Sequence, residues 1–122
     1  MEQKIKSIRP FIGSRDFGIS RAFYRDLGFE ETVLSKDMSV FKQQDVQFYL
    51  QDAYVKDWID NTMIFIEVEN IEAFYEELKA RDLPVKYAAV RLSPIKYDDW
   101  GNECFLHDPC GILWHFGQFA KY

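Results

Sequence analysis

The stretch of sequence that decides the fold occurs twice. Residues 23–29 read FYRDLGF and residues 74–78 read FYEEL, so a Phe-Tyr pair followed by a leucine appears in each half of the chain. A residue that can cap a helix precedes each copy: Asp16 in the first half and Asn70 in the second. Because both copies lie within the same order of local signals, the sequence predicts an internal repeat of one supersecondary unit.

Apolar residues at helical spacing fill each copy. In the first half Ile19, Phe23 and Leu27 recur at every fourth position, which predicts an amphipathic helix that Gly28 ends. The corresponding stripe of the second half consists of Ile71, Phe74, Tyr75 and Leu78.

Short strands are predicted on both sides of each helix. In the first half these are residues 5–12 before the helix, then 29–34, 40–42 and 46–50. In the second half they are residues 62–68 before the helix, then 85–89, 92–97, 102–106 and 112–116. We therefore predict an α+β fold in which two βαβββ modules form curved mixed sheets that enclose a cleft. A single domain would cover residues 1–122, with module one at about 1–55 and module two at about 60–122.

Composition and charge exclude several functional classes. The 122 residues carry a net charge of −5, which disfavours nucleic-acid binding because that needs a basic face. Aromatic residues make up 17% of the chain, a supply that suits an aromatic-lined cleft. We expect no membrane partner, because no apolar run is long enough to span one. The absence of a signal-peptide pattern leads us to expect a cytoplasmic protein, with Cys104 and Cys110 as thiols.

Three segments resemble the vicinal oxygen chelate superfamily, which includes glyoxalase I, extradiol dioxygenases, fosfomycin-resistance enzymes and bleomycin-resistance proteins. They are residues 14–29, residues 68–75 and residues 100–111. The SRDF segment at 14–17 and the Trp-Gly pair at 100–101 are most similar to the bleomycin-resistance branch. The resemblance implies the glyoxalase/bleomycin resistance fold.

Enzymes of this superfamily hold a divalent metal ion with His, Gln or Glu side chains. The resemblance places the corresponding positions at Arg9, Tyr49, Met63 and His115. Only His115 is a plausible ligand, because a guanidinium stays protonated and a thioether suits hard divalent ions poorly. We therefore expect no metal, no other cofactor and no catalytic residues of the family type.

Other residues suit an organic ligand better than a metal. Trp100 offers a ring for stacking, and Asp99 beside it offers a carboxylate for orienting a ligand. Strand alternation places His115 on the face opposite Trp114, towards the cleft. The complete predicted ligand-binding set is Trp100, Asp99, His115, Phe41, Met38, Tyr49, Arg9 and Met63. Seven of the eight have a structural alternative: core packing for Met38, Phe41 and Tyr49, a solvated loop for Asp99 and Trp100, a histidine without a role at 115, and a solvent-facing edge arginine at position 9.

The resemblance implies metal-independent binding of a small organic molecule, drug-like and cationic or aromatic, as in antibiotic resistance. The groove would lie between the subunits of a homodimer, and the first strand is often exchanged between subunits in this superfamily. Two alternatives remain open. One is a metal-dependent lyase or isomerase of the glyoxalase type, and the other is a chain whose only task is association.

Overall fold

The structure is a computed structural model that describes residues 2–121. The first half contains, in chain order, β1 (Phe11–Ile12), α1 (Phe17–Asp26), β2 (Glu30–Ser35), β3 (Met38–Gln43) and β4 (Val46–Gln51). Its four strands form one mixed sheet in the order β1-β4-β3-β2, with β1 parallel to β4 and the other pairs antiparallel.

The second half repeats this plan after a short helix, α2 (Lys56–Asp60), in the connection. Its elements are β5 (Met63–Glu67), α3 (Ile71–Ala80), α4 (Leu83–Lys86), β6 (Arg91–Leu92), β7 (Lys96–Tyr97), β8 (Gly101–His107) and β9 (Leu113–Phe119). The sheet order is β5-β9-β8-β6, with β7 also on β8, and β5 runs parallel to β9 as β1 does to β4. The predicted α+β fold with two curved mixed sheets is confirmed.

The two predicted helix caps are present. The side chain of Asp16 accepts a 3.1 Å hydrogen bond from the amide of Ile19, and Asn70 accepts one of 3.0 Å from Ala73. Gly28 follows α1 with a φ of 109°, a left-handed conformation that glycine adopts at the least cost.

The predicted stripe of α1 is wrong at one position. Ile19 is 47% exposed, whereas Ser20, Phe23 and Tyr24 are buried. The buried face of α1 is therefore rotated by one residue relative to the predicted face. It follows the aromatic pair because Tyr24 has a hydrogen-bond partner in the core, Asp108.

Two strand predictions are also wrong. Only residues 11–12 of the predicted strand 5–12 pair with a neighbour, and Ile5 and Ile8 are 80% and 90% exposed. Pro10 supplies a carbonyl to Tyr49 at 2.9 Å but has no amide to continue a ladder. Part of the predicted strand 85–89 is the short helix α4, because Pro84 in its first turn has a φ preset for a helix.

A single core joins the two halves. The hydroxyl of Tyr24 on α1 donates to Asp108 Oδ2 at 2.6 Å and accepts from Trp114 Nε1 at 2.9 Å. The other carboxylate oxygen of Asp108 accepts from three backbone amides of the turn before β9, each at 2.9 Å. Across residues 2–121 the structure contains no helix that is both long and apolar enough to cross a membrane.

Candidate functional site

Each sheet turns one face to the core and the other outwards. In β9 the side chains of Trp114 and Phe116 are buried, whereas His115 between them is only partly covered. In β4, Phe48 and Leu50 are buried and Tyr49 points the other way. We call the two outward surfaces the first outer face (β1–β4) and the second outer face (β5–β9).

Three aromatic rings cluster on the second outer face. Phe65 on β5 lies 5.5 Å from Phe119 and 6.2 Å from Trp100, centroid to centroid, and Trp100 lies 5.9 Å from Phe119. Phe65 and Phe119 remain 41% and 48% exposed. Gly117 makes room for this arrangement, because a Cβ there would lie 2.5 Å from Cζ of Phe65.

A histidine–carboxylate pair lies beside the aromatic cluster. His115 Nδ1 is 2.8 Å from Glu103 Oε1, and the two side chains are 21% and 12% exposed. Phe105 packs against the imidazole at 4.9 Å with an interplanar angle of 71°, and Phe65 lies 6.3 Å away. The pair combines hydrogen-bonding capacity with partial shielding from water, which strengthens its electrostatic effect on a ligand.

A second cluster occupies the first outer face. Phe11 and Tyr49 stack at 4.5 Å with an interplanar angle of 18°. Arg9 Nη1 donates to the hydroxyl of Tyr49 at 3.2 Å, and its guanidinium carbon lies 5.9 Å from the centre of that ring. This cluster offers a flat aromatic surface edged by one positive charge.

A cleft of about 460 Å³ lies between the two sheets, next to their edge strands. Its lining includes Ile8 from the N-terminal segment, Phe48 of β4, and Ile64 and Phe65 of β5. The volume is within the range of ordinary ligand pockets, and the lining is largely apolar. Phe65 borders both this cleft and the second outer face.

The structure places six of the eight predicted site residues on the two outer faces. Arg9, Tyr49 and Met38 belong to the first outer face, and His115 and Trp100 belong to the second. Met63, 64% exposed, pairs with Leu113 on the second outer face, and Asp99 is exposed in the turn before β8.

The prediction for Phe41 is wrong. Its side chain is fully buried, stacked 5.5 Å from Phe48 and 5.6 Å from Tyr24 in the core. In β3 the buried positions are Ser39 and Phe41, so strand alternation turns Phe41 away from the outer face that Met38 shares.

Three residues of the second outer face were not predicted from the sequence: Phe65, Glu103 and Phe119. Side chains alternate between the two faces of the sheet along β5, β8 and β9, and this alternation could have indicated the three residues. It does so only once the pairing register of the strands is known. The structure pairs Phe65 with His115 across β5 and β9, and β8 then adds Phe105 on the same row.

The positions that correspond to metal ligands do not fit a metal ion. Arg9 and Tyr49 bond to each other and Met63 is a thioether, which leaves His115 as the single plausible ligand among the four positions. Within residues 2–121 no three His, Cys, Asp or Glu side chains are grouped so that they could hold a cation. The residues present therefore do not support a chelate mechanism.

Comparison with solved structures identifies the fold. A bleomycin-binding protein from Streptomyces verticillus, solved with copper(II)-bleomycin, is 23% identical with a TM-score of 0.80, covering 98% of this chain and 99% of the other. A bleomycin resistance determinant encoded on the transposon Tn5 is 21% identical with a TM-score of 0.76, covering 96% and 100% of the two chains. A lactoylglutathione lyase from Agrobacterium tumefaciens is 17% identical with a TM-score of 0.69, covering 95% and 96%.

No family model matches the chain, and neither does any curated protein. The solved structures nevertheless show that the chain has the glyoxalase/bleomycin resistance fold, as the resemblance of its sequence motifs implied.

Proposed function

We propose that the chain binds a small organic molecule, cationic or aromatic, without a metal ion, and that its task resembles the drug binding of bleomycin-resistance proteins. The observation that carries this proposal is the exposed cluster of Phe65, Trp100 and Phe119 on the second outer face. Grouped aromatic rings in water are costly unless a partner covers them. Planar ligands stack favourably on such rings.

The charge of the site supports a cationic or hydrogen-bond-donating ligand. Glu103 lies beside the rings, Asp99 adjoins Trp100, and the whole chain has a net charge of −5. Carboxylates next to aromatic faces attract organic cations, because their charge adds to the attraction of the ring quadrupole. The bound drugs named for the structural neighbours, bleomycin and its copper complex, are large organic molecules of the kind that such a surface can hold.

We further propose that the complete groove forms between the two subunits of a homodimer in the cytoplasm. In one chain both outer faces are open, and each carries part of the predicted ligand set. A second copy that placed its first outer face over the second outer face would bring Arg9, Tyr49 and Met38 near Trp100 and His115. The two modules at about 1–55 and 60–122 would then contribute one wall each.

A binding screen with matched tryptophan variants tests the proposal. The protein, treated with a chelator, is titrated calorimetrically with metal-free bleomycin and with planar aromatic cations such as ethidium. Trp100→Ala is compared with Trp58→Ala, which removes a 72% exposed tryptophan from α2. We expect binding that Trp100→Ala weakens about tenfold and Trp58→Ala leaves unchanged, since stacking contributes about 1–3 kcal/mol.

Two results would contradict the proposal. One is equal affinity in the Trp100→Ala and Trp58→Ala variants, because the ligand would then lie elsewhere. The other is stoichiometric zinc, nickel, iron or manganese in the purified protein whose removal abolishes binding. That second result would favour the glyoxalase-type lyase or isomerase.

A further inference from the structure

The imidazole of His115 is held from three sides. Glu103 bonds one ring nitrogen, Phe105 packs edge-on at 4.9 Å, and Phe65 lies 6.3 Å away in the same row on the neighbouring strand β5. Both polar partners are largely shielded, with 21% and 12% of their side chains exposed. The ring therefore has one defined orientation relative to the aromatic cluster.

This contact decides which nitrogen carries the proton. An ionised carboxylate can only accept hydrogen bonds, so Nδ1 of His115 must be the donor to Glu103 Oε1. A neutral imidazole has one donor and one acceptor nitrogen. Nε2 of His115 is then a bare acceptor whenever the ring is neutral.

The acceptor nitrogen is open to a ligand. Within residues 2–121 the ring makes no second hydrogen bond, so Nε2 of His115 has no partner there. The only fully buried side-chain polar atom without a partner in those residues is Ser20 Oγ. Nε2 is therefore not fully buried and retains contact with solvent. His115 pairs with Phe65 in the register of β5 and β9, so its ring lies next to the rings that would stack on a ligand.

The charged residues near His115 reinforce its preference for a ligand that donates a hydrogen bond. Glu67 lies across Gly117 from Glu103 in the sheet register, so two carboxylates flank this row. Lys96 pairs with Glu103 across β7 and β8, but its Nζ is 3.6 Å from Asp98. Two carboxylates on this part of the outer face disfavour ligand groups that bear lone pairs only.

We propose that Glu103 is a positioning residue that holds His115 as the Nδ1–H tautomer, so that the second outer face selects planar aromatic molecules with an N–H donor. The ligand's N–H would donate to His115 Nε2 while its ring stacks on Phe65 and Trp100. The selection of ligands rests on the proposed function, whereas the tautomer does not.

The tautomer is measured by long-range ¹H–¹⁵N correlation spectra of the histidine side chains at pH 8. His107, at the end of β8, is the internal control because no carboxylate bonds its ring within the described chain. We expect His115 to be protonated at Nδ1, Glu103→Gln to retain this tautomer through its amide oxygen, and Glu103→Ala to lose it. An Nε2–H tautomer at His115 in the unmodified protein overturns the positioning role.

Ligand selection is measured with indole, which has an N–H donor and no acceptor, and with 1-methylindole, which has neither. We expect indole to bind about two- to tenfold more tightly, the contribution of one hydrogen bond. The ratio should fall to about one in Glu103→Ala, and should persist in Glu103→Gln and in the control His107→Ala.

The outcomes separate the two proposals. Equal binding of both probes, abolished by Trp100→Ala, overturns the selection by His115 and leaves the aromatic site in place. Failure of both probes to bind contradicts the proposed function of this face, and with it the ligand selection. A ratio that stays above two in Glu103→Ala overturns the positioning role of Glu103.

Discussion

The hydroxyl of Tyr24 on α1 donates a 2.6 Å hydrogen bond to the buried carboxylate of Asp108 in the turn before β9. The same oxygen accepts from Trp114 Nε1, so one phenol joins a helix of the first half to a strand of the second. Burial is the main reason that the pKa of the Tyr24 hydroxyl lies well above its ordinary value, and the nearby Asp108 charge adds to it. The phenol therefore remains a donor at any ordinary pH.

Removing this hydroxyl should destabilise the fold without changing its shape. Tyr24→Phe leaves one oxygen of Asp108 and the Trp114 indole without a partner in the core, at a cost of about 1–3 kcal/mol. The measurement is urea unfolding followed by tryptophan fluorescence. Ser20→Ala is the control on the same helix, because Ser20 Oγ has no hydrogen-bond partner in the described structure. An equal loss in both variants would contradict the bridging role.

Glu31 should give the stability a pH dependence in the acid range. Burial opposes its charged form, but hydrogen bonds from Arg21, Ser39 and Arg25 outweigh that effect and lower its pKa to about 2. A pKa that is depressed on folding stabilises the protein above the unfolded value of about 4.5. That contribution is lost as the pH falls from about 4.5 towards 2.

The test compares unfolding free energies of the unmodified protein and Glu31→Gln between pH 7 and pH 2. We expect the variant to be less stable by about 2–3 kcal/mol at pH 7, and the difference to shrink steadily below pH 4.5. A difference that stays constant down to pH 2 would show that the charge of Glu31 contributes nothing.

Gly117 should not tolerate a side chain. A Cβ at this position would lie 2.5 Å from the ring of Phe65, so Gly117→Ala must displace a member of the aromatic cluster. We expect a loss of about 1–3 kcal/mol and weaker binding of aromatic probes. Gly18→Ala in α1 is the control, since its Cβ meets nothing closer than 3.7 Å and alanine favours a helix. Unchanged probe binding in Gly117→Ala would remove Phe65 from the site.

Both cysteines should react slowly with thiol reagents. Burial raises the pKa of Cys104 to about 11, with the Glu103 charge adding to it, and burial with the Asp108 charge raises that of Cys110 to about 12. Little thiolate is then present at pH 8, and the thiolate is the reactive form. We expect colour development with a disulfide reagent to be slow in the folded protein and fast in denaturant. Rapid labelling of the partly exposed Cys110 would contradict this.

Local signals were sufficient to predict the two long helices, α1 and α3, and most strands, because Asp16, Asn70 and Gly28 act through their own backbone neighbours. They failed at Pro84, whose preset φ favours a helical turn inside an apolar segment, and at residues 5–10, whose apolar side chains have no strand to pack against in one chain. The site was harder to predict, because which face of β3 turns to the core depends on packing between the halves. For that reason Phe41, predicted for the site, lies in the core, and Phe65, which was not predicted, lies on the outer face.

The proposed function requires that an organic ligand binds the second outer face without a metal ion. The most direct measurement is a ¹H–¹⁵N spectrum of the isotope-labelled protein in chelator, titrated with metal-free bleomycin. We expect saturable shifts concentrated at Phe65, Trp100, His115 and Phe119, and no such shifts when zinc is added to the protein without bleomycin. Shifts that leave these four residues untouched, or zinc binding by the protein alone at His115, would contradict the proposal.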